Sequence, residues 1–272
     1  MKYISKIYIF LILGILYIPI LTLILFSFNS SNSTALFTGF SFRWYVELFS
    51  STEAFEALRN TLILATSSAL IATVIGTAAA EGIYKMRSKL VKTAITSVTN
   101  IPMMNPDIVT GMSMMLFFVA VAGILALPYE NVGFAAMLIS HVTFCLPYVI
   151  LSVLPRINEL GDSLSEAALD LGCTPLQAFF KVKLPNIMPG VISGMVMAFT
   201  MSLDDFVISY FVGSSNFQTL PLLIYSMTKK KVTPDMYALS TLIVVTIFVL
   251  LVVSNFRSGK KVDAGKKGGA KK

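Results

Sequence analysis

Six stretches of the sequence are each apolar and long enough to cross a lipid bilayer as a helix. The hydrocarbon core of a bilayer is about 30 Å thick, so a spanning helix needs roughly 20 apolar residues. Only 13% of the 272 residues are charged, against about 25% in soluble domains. The sequence therefore predicts an all-α, polytopic membrane protein with six transmembrane helices, at residues 7–28, 61–84, 93–127, 133–154, 187–211 and 236–256.

The distribution of basic residues predicts the orientation of these helices. With both termini in the cytoplasm, sixteen Lys and Arg residues fall on the cytoplasmic side and five on the outer side. Cytoplasmic loops of membrane proteins carry the excess of Lys and Arg, so we expect a multi-pass protein of the cytoplasmic membrane with both termini inside. The outer cluster Lys229–Lys231 is the local exception. A net charge of +7 placed at membrane flanks does not indicate nucleic-acid binding.

We expect a single transmembrane domain over residues 1–256, followed by a tail. The first apolar stretch follows two lysines, as in a signal peptide, but it is too long for one and lacks a small-x-small cleavage site after it. It is therefore expected to remain as a helix. Residues 257–272 are rich in Gly and Lys and predict a disordered, basic cytoplasmic tail.

The third stretch contains a break. In Asn105-Pro106-Asp107, Asn suits an N-cap, Pro the first helical position and Asp the first turn, so a helix is predicted to restart there. Pro102 is expected to prevent the preceding segment from running through smoothly. Non-helical backbone at this depth is tolerated where it packs in protein or lines a cavity. A packed proline kink and a helix restart beside a substrate path both fit the sequence.

The cytoplasmic loop 155–185 is too long and too patterned to be a passive connector. Ser163 and Glu166 have the spacing of a capping box, in which Ser caps a helix and Glu bonds back to it. Gly172 is placed to end that helix in a left-handed conformation. The apolar residues of this helix share one face and are Leu164, Ala167, Ala168 and Leu171.

A second short helix is predicted to follow. Thr174 and Pro175 suit its cap and first position, and Gln177 lies three residues after the cap. Leu184-Pro185 is expected to close the unit before the next membrane span. Two capped amphipathic helices joined at a glycine either offer a knob for a soluble partner or pack on the membrane domain.

This loop resembles the EAA loop of the inner-membrane permease subunits of ABC importers. The residues that carry the resemblance are Glu166, Ala167, Ala168, Gly172, Leu184 and Pro185. The similarity extends over most of the chain, and three further motifs resemble the spermidine/putrescine importers of that family. These motifs are Asn105-Pro106-Asp107-Ile108-Val109, the run from His141 to Pro147, and Ser202-Leu203-Asp204-Asp205.

The resemblance implies a type I ABC importer permease fold and a function in polyamine import. It also implies that the EAA-like residues dock on an ATP-hydrolysing subunit and transmit its closure to the membrane helices. The implied partners are a homologous second permease in a heterodimer, two ATPase subunits and an extracytoplasmic polyamine-binding protein. ATP and Mg²⁺ would be bound by the ATPase subunits, since this sequence has no G-x-x-x-x-G-K-[ST] phosphate loop. We expect neither a cofactor nor an enzymatic activity in this chain.

The charges inside the predicted spans point to the substrate independently. The spans contain Glu81, Asp107, His141, Asp204 and Asp205 but no Lys or Arg. A carboxylate at mid-bilayer costs roughly 2.5–3.5 kcal/mol if it faces lipid. These acids therefore need a polar cavity, a proton, another subunit or a passing cation, and spaced carboxylates suit the ammonium groups of a polyamine.

The adjacent residues Asp204 and Asp205 lie about 100° apart around a helix. We expect one to face the substrate path and the other to bind a neighbouring helix or the partner subunit, with Ser202 adding a hydroxyl acceptor. Helix–helix hydrogen bonding by protonated Asp is the alternative for this pair, and helix capping is the alternative for Asp107.

Other polar residues have simpler interpretations. Glu81 lies one helical turn before Lys85, and an i,i+4 ion pair accounts for it. His141 lies among apolar residues and is expected to be neutral, hydrogen-bonded and packed. The two cysteines have no metal-ligand or redox spacing.

Two aromatic residues are further candidates for contact with a cationic substrate. A ring attracts an ammonium group with about 0.5–2 kcal/mol. Trp44 lies in the first outer loop, where anchoring at the membrane interface is the alternative. Tyr17, just before Pro19 in the first span, is a weaker candidate of the same kind.

Two other functions are compatible with parts of the sequence. The first is an ABC importer permease for another solute, such as an amino acid or a metal chelate, although a neutral sugar would not need so many membrane aspartates. The second is a stand-alone secondary transporter with Asp and His relays. The paired capped helices of loop 155–185 argue against it, because such a carrier has no ATPase to engage.

Overall fold

A computed structural model of the protein describes residues 2–31, 36–126, 128–213, 217–230, 236–249 and 252. Nearly all of these residues are helical, and a π-helical turn (Phe179–Lys183) joins α8 to α9. The helices are α1 (Lys2–Ser27), α2 (Arg43–Ser50), α3 (Thr52–Lys85), α4 (Lys89–Met104), α5 (Asp107–Ile124), α6 (Tyr129–Leu160), α7 (Ser163–Asp170), α8 (Pro175–Ala178), α9 (Leu184–Leu203), α10 (Val207–Val212), α11 (Leu220–Lys230) and α12 (Met236–Val249).

The all-α prediction is confirmed, and most of the predicted spans appear as apolar helices. Within the described residues, five helices are long and apolar enough to cross a membrane: Lys6–Ser27, Thr52–Lys85, Asp107–Ile124, Gly133–Leu160 and Pro175–Leu203. α12 is apolar but shorter. The predicted continuation of that span to residue 256 is described only in part, and the predicted tail 257–272 lies outside the described residues.

The third predicted span is two helices. α4 runs through Pro102 to Met104, so the expected interruption at Pro102 is wrong. The break falls at Asn105, whose ψ of 141° is extended because the following proline disfavours a helical conformation. The helix restart is correct but one residue later than predicted: Pro106 is the N-cap and Asp107 is the first helical residue.

The described chain divides into two compact units, and the prediction of one domain over 1–256 stays a prediction. The first unit is Met1–Arg59 with Thr219–Phe248. Its buried core is apolar and consists of Leu48, Ala54, Ala57, Leu220, Leu223 and Leu239. In its outer loop, the fully buried Asn29 accepts hydrogen bonds from the backbone and hydroxyl of Thr38 and donates to the Leu36 carbonyl.

The second unit is Asn60–Gln218 with Val249–Lys272. Helices α6 and α9 pack closely because α9 carries Gly190 and Gly194, a small-xxx-small pair that lets membrane helices approach. A Cβ added to Gly190 would lie 2.8 Å from the Ser152 carbonyl oxygen, so only glycine fits there. Gly111 of α5 plays the same part against α10, where a Cβ would lie 3.4 Å from the Val207 carbonyl oxygen.

Candidate functional site

The carboxylate of Asp205 caps a helix that begins inside the predicted membrane region. Its Oδ2 accepts a hydrogen bond from the Ser209 amide at 2.9 Å and its Oδ1 accepts one from the Ile208 amide at 3.3 Å. These are first-turn amides of α10, which have no partner within the helix. The Asp205 side chain is only 6% exposed. Asp205 therefore faces the protein interior.

A chain of buried hydrogen bonds surrounds this cap. The imidazole of His141 lies 2.7 Å from the Ser202 hydroxyl, 3.2 Å from the Ser209 hydroxyl and 3.4 Å from Asp205 Oδ2. Ser68 of α3 donates to the Ser202 hydroxyl at 2.8 Å. His141 is fully buried, as expected of a packed, hydrogen-bonded histidine. Ser202 is 2% exposed, so its hydroxyl serves the contact between α3, α6 and α9.

Asp204 has a different environment. It is the C-cap residue of α9, and it is exposed in this chain. A carboxylate at a helix C-terminus faces the negative end of the helix dipole. Asp107, at the start of α5, is also exposed and lies within electrostatic range of both Asp204 and Asp205. In the described part of the chain, neither Asp107 nor Asp204 forms an ion pair.

The three aspartates gather where two helices start. α5 begins at Asp107 and α10 begins two residues after Asp205, and the two helices pack against each other. Helix N-termini carry a partial positive charge, which stabilises the Asp205 carboxylate that caps α10 and the Asp107 carboxylate in the first turn of α5. Among the described residues, no group of three or more His, Cys, Asp or Glu side chains is placed to hold a metal ion.

The aromatic candidates lie in the first unit. Trp44 is 5% exposed, and its indole N–H donates to the Asn29 carbonyl at 2.6 Å. A cation already lies over its ring, since the Arg43 guanidinium is 5.0 Å from the ring centroid. Tyr17 on α1 is 56% exposed. The indole of Trp44 thus has partners within its own loop, whereas the Tyr17 side chain is open.

Loop 155–185 folds into the two predicted helices, with one error at the start. α7 ends in a Schellman motif: Gly172 has φ +86°, its amide donates to the Leu169 carbonyl, and the Cys173 amide donates to the Ala168 carbonyl. The predicted capping box of Ser163 and Glu166 is wrong. Asp162 is the N-cap residue, because α6 ends at Leu160 and only two residues separate the helices.

The second helix of the loop begins as predicted but does not end at Leu184-Pro185. Thr174 and Gln177 form the capping box, with bonds of 3.1 and 3.3 Å. The chain then runs without interruption through the π-helical turn into α9, so Leu184-Pro185 opens α9. The Leu184 amide donates five residues back to the Phe179 carbonyl. This wider turn makes room for the proline ring, which would clash with a carbonyl of an α-helical turn.

The loop exposes a set of large apolar side chains. Ala168 and Ala178 are buried and hold the two helices together. Five large apolar side chains of the loop are between 42% and 87% exposed, and they are Leu164, Leu169, Leu171, Leu176 and Phe180. An exposed apolar surface beside polar residues is typical of a protein interaction site. Of the candidate residues, Glu166 and Ala167 are exposed beside it, and Gly172 sets the turn between the two helices.

A buried ion pair that no sequence pattern predicted joins this loop to α3. Glu81 pairs with Lys85 at 3.0 Å, as predicted, but it also pairs with Lys183 at 2.8 Å. The Lys183 side chain is 4% exposed, whereas the Lys85 side chain is 67% exposed. The Lys183 ammonium also lies 4.5 Å from the ring centroid of Tyr84. The two partners are 102 residues apart in the sequence, so no local pattern could have indicated the pair.

Known proteins with similar sequences are transport permeases. The chain is 40% identical over 228 residues to the putrescine transport system permease protein PotI of Escherichia coli K12, covering 84% of this chain and 81% of the relative. It is 37% identical over 253 residues to the spermidine/putrescine transport system permease protein PotC of Haemophilus influenzae, covering 93% and 95%.

Solved structures of ABC importers share the fold. A chain of a bacterial ABC transporter that imports the acidic polysaccharide alginate superposes with a TM-score of 0.74 at 18% identity, covering 95% of this chain and 96% of that one. A chain of the MetNI methionine ABC transporter gives a TM-score of 0.62 at 20% identity, covering 77% of this chain and 98% of that one. At these identities the likeness concerns the fold.

Residues 72–259 match the family described as binding-protein-dependent transport system inner membrane component. This match covers the helix break, the buried network around Asp205 and the cytoplasmic loop. The chain therefore belongs to that family, the membrane-spanning permease subunits of ABC importers, and it is a transport subunit and not an enzyme.

Proposed function

We propose that this chain is a permease subunit of an importer that moves polyamines across the inner membrane. Its partners are a homologous second permease in a heterodimer, two ATPase subunits that bind ATP and Mg²⁺, and an extracytoplasmic polyamine-binding protein. Both termini lie in the cytoplasm, which puts the exposed apolar surface of α7 and α8 on the side where ATP is available. The named relatives, permeases for spermidine and putrescine, support this assignment.

The observation that carries the proposal is the pair of exposed acids that form no ion pair with the described residues. Asp107 and Asp204 lie within electrostatic range of each other, at the point where the membrane helices are broken. Acids in a membrane persist where they face a polar path or meet a cation. A polyamine supplies two or more ammonium groups on a flexible chain, and it can meet both carboxylates in turn.

The three aspartates then divide into two roles. Asp204, with Asp107, lines the substrate path and holds ammonium groups weakly enough for release. Asp205 fixes the start of α10, His141 lies against Asp205, and Ser202 holds His141, so these residues keep Asp204 in place. Trp44 organises the outer loop through its bond to Asn29, and Tyr17 is kept as a contact for the passing cation.

The cytoplasmic loop is proposed to be the contact with the ATPase. Its exposed apolar side chains suit a hydrophobic groove of a soluble protein, in the manner of a helix laid into a groove. Glu166 and Ala167 lie at the edge of this surface. Ala168 and Gly172 set the angle between the two helices, while Leu184 and Pro185 open the helix that leads back to Asp204.

The test is uptake of labelled spermidine, putrescine and a neutral sugar by cells that lack their own polyamine importers. These cells express the complete importer with the wild-type chain or with Asp204→Asn. We expect uptake of the polyamines and not of the sugar, and a loss of at least about tenfold in Asp204→Asn, the order of the discrimination given by a desolvated charge contact.

Glu159→Gln is the matched control, since Glu159 is an exposed carboxylate in a surface pair with Arg156. It should transport as the wild type does. Uptake of neither polyamine by the wild-type complex would contradict the substrate and leave an importer for another solute. Equal uptake by Asp204→Asn and the wild type would contradict the role of Asp204.

A further inference from the structure

The loop formed by α7 and α8 has two different attachments to the membrane helices. The first is covalent at both ends of the loop, because α7 follows α6 after two residues and α8 continues through the π-helical turn into α9. The second is the buried ion pair between Lys183, at the end of that turn, and Glu81, on α3. Beside this pair lies a pocket of about 170 Å³, lined by residues of α3, α7, α8 and the turn, so the apolar packing between α3 and the loop is incomplete there.

The helix that follows Lys183 leads directly to Asp204. α9 begins with the next residue, Leu184, and ends at Leu203, immediately before Asp204. Twenty helical residues span about 30 Å at 1.5 Å per residue. At the far end of α9, the Ser202 hydroxyl accepts a hydrogen bond from Ser68 of α3 at 2.8 Å. α3 and α9 are thus tied together at both ends of α9, once by the ion pair and once by the buried network.

We propose that the Lys183–Glu81 ion pair is the joint that makes α3 move together with α9 when the ATPase moves the cytoplasmic loop. Lys183 and Glu81 are positioning residues: they touch neither substrate nor ATP. A loop attached only through its covalent ends, to α6 and α9, would turn those helices and leave α3 behind, and the Ser68–Ser202 contact beside Asp204 would be strained. With the joint intact, both helices carry the wall of the substrate path as one body. This inference rests on the proposed function of the loop as the contact with the ATPase.

The two lysines that share Glu81 provide the test. In Lys183→Met the buried stem is replaced by a similar apolar chain, while Glu81 keeps Lys85 as its partner at 3.0 Å. Folding and assembly should therefore be retained. Lys85→Met is the matched control, because it removes an exposed partner of the same carboxylate. Lys183→Arg keeps the charge and serves as the rescue variant.

The first readout is the number of polyamine molecules transported per ATP hydrolysed by the complete importer in proteoliposomes. Lys183→Met is expected to lower this ratio by at least about fivefold, the lower end of typical coupling between two sites, while ATP hydrolysis continues. Lys85→Met should keep the wild-type ratio, and Lys183→Arg should restore most of it. A merely structural role would lower transport and ATP hydrolysis in proportion and leave the ratio unchanged, which would overturn the proposal.

The second readout does not depend on the substrate. Spin labels at Asp170→Cys on α7 and Ile75→Cys on α3, both exposed positions, report the distance between the loop and α3. The native Cys145 and Cys173 are replaced by Ala. On trapping the complete importer with ATP, the distance should stay constant with Lys183 and change with Lys183→Met. A distance that changes equally in both, or in neither, overturns the joint even if the imported solute is not a polyamine.

Discussion

Two regions of the second unit contain carboxylates in or near the predicted membrane spans. The regions differ in whether those carboxylates have ion-pair partners. At one end of α9, Glu81 of α3 has two lysine partners, one buried and one exposed. At the helix break, Asp107 and Asp204 have no ion pair in the described part of the chain. The two regions lie at opposite ends of α9, about 30 Å apart along its axis.

We propose that the difference separates charges that hold the protein together from charges that serve the cargo. A buried charge costs several kcal/mol unless a partner compensates it. Glu81 and Lys183 compensate each other within the chain, so their removal should be felt as lost structure or lost coupling. Asp204 lies at the negative end of a helix, where it gains nothing from the dipole. It forms no ion pair with any of the described residues, and we propose that its partner is the cargo.

The largest expected effect is the loss of stability caused by removing the charge of Glu81. Glu81→Gln leaves the buried Lys183 ammonium without a carboxylate, and breaking a buried ion pair on one side costs about 3–5 kcal/mol. The thermal unfolding midpoint of the purified importer should fall well below that of the wild type. Glu159→Gln, which breaks a pair that is more than half exposed on both sides, should cost about 0–1 kcal/mol. Equal midpoints for the two variants would contradict the role assigned to Glu81.

A smaller loss of stability is expected for Asp205, the aspartate at the break whose carboxylate is compensated by hydrogen bonds. Asp205 uses both carboxylate oxygens, one for each of two α10 amides. Asn has a single acceptor oxygen and no charge, so Asp205→Asn should lose about 1–2 kcal/mol from a charged hydrogen bond and the helix dipole. Chemical denaturation or thermal unfolding of the complex measures this loss. An unchanged stability would indicate that Asp205 is not the cap of α10.

The smallest expected effect is at the exposed partner of Glu81. Lys85→Met should change the stability by no more than about 1 kcal/mol, because an exposed ion pair contributes little and Glu81 retains Lys183. The same unfolding measurement checks it. A loss as large as that of Glu81→Gln would show that burial does not distinguish the two lysines.

Local signals in the sequence were sufficient for most of the fold. Apolar runs of bilayer length indicated the long helices, and the left-handed Gly172 and the Thr174–Gln177 capping box were correct because a turn or a cap depends on a few adjacent residues. Errors of one residue arose where two local preferences competed. Asn105 suited a cap, but the proline after it moved the helix start to Asp107.

The site was predictable in its composition but not in its division of roles. The sequence predicted Asp204 and Asp205 within one continuous span, 187–211, and indicated that only one could face the path, whereas the structure breaks that span between α9 and α10. Which one depends on a bond to α10 and on His141, 64 residues earlier in the chain. Lys183 was counted as an ordinary cytoplasmic charge, because its pairing with Glu81 exists only after α3 and α9 have packed. The continuation of α9 through Pro185 likewise depended on a π-helical turn that leaves no clear mark on the sequence.

The central claim, that the uncompensated carboxylate serves the cargo and not the fold, is tested most directly by Asp204→Asn. The thermal unfolding midpoint and the uptake of labelled spermidine are measured on the same preparation of the complete importer. We predict an unfolding midpoint equal to or above that of the wild type, with a free energy of unfolding no more than about 0.5 kcal/mol lower. We also predict a loss of spermidine uptake. A lower midpoint with normal uptake would contradict the account and make Asp204 a structural residue.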